Sequence, residues 1–243
     1  MKRIVLLLFV SLTILLSSCE KDPQPAPILK FSILGDSYST FEGYVDPESN
    51  DVWYDTTPTY YTDVENVEDM WWYKVASEKG WKLEKNNSFS GSLICNFWGY
   101  NAGPYYSPHS FIRRMDDLGD PDVILVFGGI NDVCNGAYDS VFVYSDWTEG
   151  QLEYYKPALA YMCDGLGRLY PNAKTYFLVD MWLFDYDPEG KKFVEAVHTI
   201  TRHYGIECID LYGIEKSWGH PTVKGMSDIA EQVLVVLRGR FSV

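Results

Sequence analysis

The sequence predicts a single α/β domain built on a central parallel sheet of five strands with helices on both faces. Two observations point there. Short apolar runs alternate with longer stretches whose apolar residues recur at helical spacing, as a parallel α/β sheet requires. The run at 122–127 is almost wholly apolar rather than alternating, the mark of a strand covered on both faces.

Taken in order, residues 29–34 form a first strand that stops at Gly35. Residues 67–79 read as a helix, with Val67, Met70, Trp71 and Val75 on one side and Gly80 as its C-terminal stop. A second, more polar strand spans 81–84, and the third, 122–127, lies between Pro121 and Gly128-Gly129. A helix over 152–170 ends before Pro171. Residues 175–179 read as the fourth strand, 191–204 as a helix closed by Gly205, 207–209 as the fifth strand, and 223–238 as a final amphipathic helix. Residues 41–63 and 137–150 are long connections rich in aromatic and acidic residues, too aromatic for disorder.

The first residues have a different character. Lys2 and Arg3 precede an apolar run over 4–16, then Ser17-Ser18-Cys19. Basic, apolar and small-residue regions in that order make a secretory signal, and the run is short for a membrane span of about 20 residues. Leu16-Ser17-Ser18-Cys19 resembles a bacterial lipobox, which implies cleavage before Cys19 and a lipid on its thiol. The expected organisation is a signal peptide over 1–18, a lipidated Cys and charged, Pro-rich tether over 19–28, and one domain over 29–243. The protein would then be exported and held at the periplasmic or cell-surface side of a membrane.

With 34 acidic against 20 basic residues the chain carries −14, and loss of Lys2 and Arg3 with the signal takes it to −16. That balance excludes a nucleic-acid partner, which needs a basic surface. Cys95, Cys134, Cys163 and Cys208 have three full pairings open to them in an exported protein, or stay as core thiols. No Cys-x-x-Cys spacing supports a zinc site.

Chemistry-bearing residues cluster just after the strands, where α/β sheets place their sites. Gly35-Asp36-Ser37 follows the first strand, and a Ser there stands at the mouth of the sheet. Ser90-Gly91-Ser92 follows the second, where a Gly lets its backbone N–H approach a bound oxygen. Gly128-Gly129-Ile130-Asn131-Asp132 follows the third, and Asn131 offers a neutral amide donor suited to an oxyanion. Of four histidines, His198 and His203 fall within a helix and His109 in a Pro- and Tyr-rich loop. His220, in Trp218-Gly219-His220-Pro221, alone lies between the last strand and the last helix. Singly, each has a plainer role: an N-cap for Ser37, a loop Gly for Gly91, an Asx turn for Asn131.

Together and in order, Gly35-Asp36-Ser37, Gly91, Gly128-Gly129-Ile130-Asn131-Asp132 and His220-Pro221-Thr222-Val223-Lys224-Gly225 resemble the SGNH (GDSL) hydrolases, over nearly the whole mature chain. The resemblance implies a three-layer, flavodoxin-like fold and hydrolysis of esters with no metal or cofactor. By motif, Ser37 would be the nucleophile and His220 the base. The N–H groups of Ser37 and Gly91 and the Asn131 amide would form the oxyanion hole. The family usually places an Asp three residues before the His, where this chain has Ser217. A backbone carbonyl, Ser217 Oγ or Glu215 is open to take its place. With 8 Trp and 19 Tyr, many around residues 53–61 and 97–106, the expected substrate is an acylated carbohydrate. A lipid or aryl ester, or a non-catalytic glycan-binding role, are the alternatives.

Overall fold

The structure, a computed structural model, describes residues 27–97, 107–136, 140–186 and 188–241. The signal, Cys19 and most of the tether lie outside the described residues, as do residues 98–106 of the second aromatic loop.

Five parallel strands stand in the order β2-β1-β3-β4-β5: β1 (Lys30–Gly35), β2 (Lys82–Ser88), β3 (Val123–Phe127), β4 (Lys174–Asp180) and β5 (Glu207–Leu211). Parallel pairing needs long crossovers, and the helices supply them: α1 (Trp71–Lys79), α2 (Phe111–Arg114), α3 (Ile130–Cys134), α4 (Tyr155–Leu169), α5 (Trp182–Tyr186), α6 (Pro188–His203) and α7 (Val223–Leu237). The period of two along each strand divides the core. Phe31, Ile33, Val123 and Leu125 pack with Trp71 and Val75 of α1 and Ile229 and Val233 of α7. Leu34, Ile124 and Val126 face the other way, onto Phe111 of α2, Leu159 of α4 and Val197 of α6. The result is the expected α/β fold, in three layers around five parallel strands.

Several boundaries differ from the reading above. β2 runs four residues further, through Lys85-Asn86-Asn87-Ser88. These polar residues look like a loop in sequence, yet Asn86, Asn87 and Ser88 are buried. Each finds partners: Asn86 donates to Ser39 O, Asn87 to Asp117 O, and Ser88 Oγ to Asn86 Oδ1, so their burial leaves no polar group unpaired. The helix expected from residue 67 is a 3-10 turn (Val67–Asp69) followed by α1. The short helices α2, α3 and α5 and a hairpin of β6 (Lys216–Ser217) with β7 (His220–Pro221) were not legible. None of Cys95, Cys134, Cys163 and Cys208 forms a disulfide.

The hairpin is held from three sides. Tyr38 donates its hydroxyl to Gly219 O at 2.6 Å, and Tyr54 donates to Pro221 O at 2.8 Å. Beneath it, α7 is N-capped by Thr222, whose side chain accepts from Gly225 N at 3.1 Å. A Cβ at Gly225 would lie 2.0 Å from the Glu215 carbonyl oxygen, so the last residue of the His220-Pro221-x-x-x-Gly225 motif is a contact between helix and hairpin. Gly225→Ala should destabilise the fold by about 1–3 kcal/mol, the usual range for overpacking, measurable as a lower urea midpoint with an unchanged m-value.

Candidate active site

The order of strands reverses between β1 and β3, and in such sheets the crevice lies at that switch point, beyond the carboxyl ends of the strands. The residues singled out in the sequence meet there. β1 ends at Gly35, where a Cβ would lie 2.6 Å from Ser88 Oγ, so only Gly lets β1 close against β2. Asp36 caps the following 3-10 turn (Ser37–Ser39), its Oδ1 accepting from Tyr38 N at 3.1 Å. That cap presents Ser37 at the head of the turn. After β3, Cβ atoms at Gly128 and Gly129 would lie 2.3 Å and 2.1 Å from the rings of Phe111 and Phe193. The backbone squeezes between two aromatic rings, with Gly129 at φ +106°, and α3 starts at once, carrying Asn131.

His220 Nε2 lies 2.9 Å from Ser37 Oγ. On the far side of the ring, Nδ1 lies 3.2 Å from the Trp218 carbonyl oxygen. A carbonyl only accepts, so Nδ1 carries the proton and Nε2 has its lone pair toward the serine hydroxyl. Of the three groups open to hold the ring, this is the backbone carbonyl. Glu215 is engaged elsewhere, accepting from Thr222 Oγ1 at 2.8 Å, and Ser217 pairs with His220 only through the hairpin register. The arrangement can move the Ser37 proton to Nε2 without any change of tautomer.

Trp53, from the long 41–63 connection, stacks on the imidazole with centroids 3.6 Å apart and planes 6° from parallel. Tyr38 and Tyr54 meet the same ring edge-on. Enclosed by rings, with Lys216 nearby, His220 has its pKa lowered from 6.5 to about 4, burial being the larger cause. Lys216, partly buried, forms an ion pair with the buried Asp180 at the end of β4, and its Nζ lies over the rings of Trp182 and Tyr38. Tyr38, Ile130, Cys134 and Trp182 wall a small pocket of about 210 Å³ that opens on Ser37, Asn131 and His220.

Asn131 donates to Ser92 O at 3.0 Å, which leaves its second amide hydrogen only a long 3.4 Å contact to Asp36 Oδ2. Gly91 sits in the turn after β2 at φ +77°. Neither its N–H nor that of Ser37 is used by another group among the described residues. Asp132 ties this turn to α3, its carboxyl accepting from Ile94 N at 2.9 Å and Cys95 N at 3.3 Å. Burial pushes Asp36 up to about 7 and Asp132 up to about 6. Arg114 also braces the region, through bonds to Gly35 O and Ser92 Oγ at 3.1 Å and 2.9 Å.

The structure thus brings Ser37, Gly91, Asn131 and His220 to one mouth. It leaves the other histidines apart: His198 pairs with Asp210 at 2.8 Å, His203 packs on Tyr144, and His109 stacks on Phe89. Sequence reasoning missed Trp53, Arg114 and the Lys216–Asp180 pair. Asp180 had a signal, since it ends a strand on the mouth side; Trp53 comes from the long 41–63 connection, Arg114 from the short helix α2 and Lys216 from β6, none of them within a motif.

Between pH 6.5 and about 4 the folded ring stays neutral while an unfolded one takes up a proton. This residue therefore lowers stability as pH falls through that window. In an NMR titration of the imidazole C–H resonances, His220 should titrate near pH 4; a midpoint near 6.5 would contradict the enclosure described here.

The GDSL-like lipase/acylhydrolase family model matches residues 29–237. Among solved structures, a Bacteroides ovatus protein described as a GDSL-like lipase is 44% identical, with 88% of this chain and 99% of that chain covered at a TM-score of 0.81. A Bacteroides uniformis protein of the same description is 43% identical over 86% and 95% of the two chains, with a TM-score of 0.79. An acetyl xylan esterase from Butyrivibrio proteoclasticus, 16% identical over 89% of this chain and 65% of that one, shares the fold at a TM-score of 0.52. Comparison with curated proteins gives no match. Sequence motifs, strand order and relatives at over 40% identity agree: this chain belongs to the GDSL-like lipase/acylhydrolase family of ester hydrolases.

Proposed function

We propose that the protein is a serine esterase that removes O-acyl groups, acetyl above all, from carbohydrate, working through a Ser37–His220 pair without a carboxylate. The observation that carries the reading is the 2.9 Å contact between Ser37 Oγ and His220 Nε2, with Nδ1 held by a main-chain carbonyl. Ser37 Oγ attacks the ester carbonyl carbon as its proton passes to Nε2. The developing oxyanion is met by the N–H groups of Ser37 and Gly91 and the spare amide hydrogen of Asn131, neutral donors already fixed in place. The carbon–oxygen bond to the alcohol then breaks and Nε2 returns its proton to the departing oxygen. Water, deprotonated by the same nitrogen, releases the acyl group and restores Ser37.

A carbohydrate leaving group is supported by the aromatic side chains around the mouth and by the acetyl xylan esterase that shares the fold. The small pocket beside Ser37 suits a short acyl chain better than a fatty one. One observation favours a non-catalytic glycan-binding role instead: a carbonyl stabilises the imidazolium less than the usual carboxylate does.

The test is hydrolysis of 4-nitrophenyl acetate together with labelling by a fluorophosphonate. Ser37→Ala and His220→Ala should each lower kcat by roughly 10³-fold or more. Asn131→Ala should lower it by roughly 10²–10³-fold with little change in KM. Folded wild-type protein that neither turns over the ester nor takes the label leaves the glycan-binding role.

For location, Leu16-Ser17-Ser18-Cys19 supports an exported lipoprotein anchored through Cys19. Mass spectrometry of membrane fractions should find a mature chain that begins at lipidated Cys19, and Cys19→Ala should release the protein from the membrane. An unmodified N-terminus elsewhere would refute the anchor.

A further inference from the structure

Trp218 is an outlier in two respects. Its backbone lies at φ +51°, followed by Gly219 at +78°, the two left-handed residues of a type I′ hairpin turn. Gly, Asn and Asp are at ease there; a bulky aromatic residue is strained. The residue is also 65% exposed, so burial of the side chain does not offset that cost. Such strain, where it persists, clusters at functional sites.

The indole is not alone. Tyr61 and Tyr60, 39% and 73% exposed, meet it edge-on with centroids at 5.5 Å and 6.0 Å. Their own rings lie 3.9 Å apart and their hydroxyls are hydrogen-bonded to each other. Three large rings from two distant segments therefore form a solvent-facing platform. It is rigidly tied to the site, because Tyr38 and Tyr54 pin the hairpin and Trp53, from the same connection as Tyr60 and Tyr61, stacks on His220.

We infer that Trp218, Tyr60 and Tyr61 form a subsite for a pyranose ring of the alcohol leaving group, so that residue 218 serves the site twice. Its carbonyl orients His220, and its indole seats the sugar whose oxygen His220 must protonate. The inference rests on the esterase reading above and extends it to a place and a ligand class. A pyranose ring has one face of C–H groups rimmed by hydroxyls. That face suits the electron-rich face of an exposed aromatic ring, and the hydroxyls remain in water or bond to the two phenols. A fatty acyl chain would gain from the same apolar area but would leave both phenol hydroxyls unused.

The experiment compares kcat/KM for acetylated xylotetraose, ethyl acetate and ethyl octanoate in wild-type protein, Trp218→Gly and Tyr60→Ala/Tyr61→Ala. Gly keeps the carbonyl and accepts the left-handed backbone, so its variant removes the ring without forcing the turn. The ratio of acetylated xylotetraose to ethyl acetate should fall at least tenfold in both variants, chiefly through KM. An unchanged ratio, or a fall confined to the octanoate, overturns the subsite. Calorimetry with unacetylated xylotetraose separates the two readings. Binding by wild-type protein that both variants lose upholds the platform even if no ester is hydrolysed. Equal binding by all three, or none by wild-type protein, refutes it whatever the esterase activity.

Discussion

The buried guanidinium of Arg114 is the interaction on which the mouth of the sheet depends. Its Nε donates to His109 O at 2.7 Å, one terminal nitrogen to the Asn87 carbonyl and side chain, and the other to Gly35 O and Ser92 Oγ. One planar cation thus joins the carboxyl ends of β1 and β2 to the turn that carries Gly91. Two residues beyond Gly35 comes Ser37, so the same group sets the spacing between the serine turn and the Gly91 turn. Each of these acceptors is neutral, and burial lowers the Arg114 pKa to about 9, with Asp36 the charge that opposes this shift. A lysine, with three donors from a single point, could not span these acceptors. Each carbonyl left unpaired in its place would cost about 1–3 kcal/mol.

Around that brace, burial works against isolated charge although the chain carries −14. Enclosure lowers the histidine pKa and raises those of Asp36 and Asp132. Desolvation is the largest cause in all three, and it moves acids and bases in opposite directions. These shifts pull on stability in opposite senses: below neutral pH the two aspartates favour the folded state as they retain protons, while the unprotonated histidine disfavours it. A fixed field of main-chain and amide dipoles is left at the mouth, the environment in which a developing oxyanion gains most.

Much of this was legible in the sequence because it depends on local constraints. Gly35, Gly128 and Gly129 stand where a Cβ would meet Ser88, Phe111 and Phe193, and residues so constrained recur as motifs. The strands of the central sheet were readable where both faces are apolar, as in β3, and not where buried amides are satisfied by main-chain carbonyls, as at the end of β2. The hairpin that carries His220 escaped because a tryptophan occupies a left-handed position where turn rules expect Asn or Gly. The stacking of Trp53 on His220 joins residues 167 positions apart with no periodicity to announce it. What holds the imidazole was left open between three groups, since a main-chain carbonyl has no signature in a sequence.

That carbonyl has a genetic consequence. An orienting aspartate is lost by a single codon change, whereas every amino acid supplies the oxygen that Trp218 presents to His220. No substitution at that position deletes it. Only a change in the path of the chain through Trp218 and Gly219 can withdraw it, and proline insertion or a shift in turn length are the changes able to do so. The vulnerability of the proton relay is thereby moved from one side chain to the shape of a four-residue turn, and selection on that shape would appear in descendants as constraint on loop length rather than on any acidic residue.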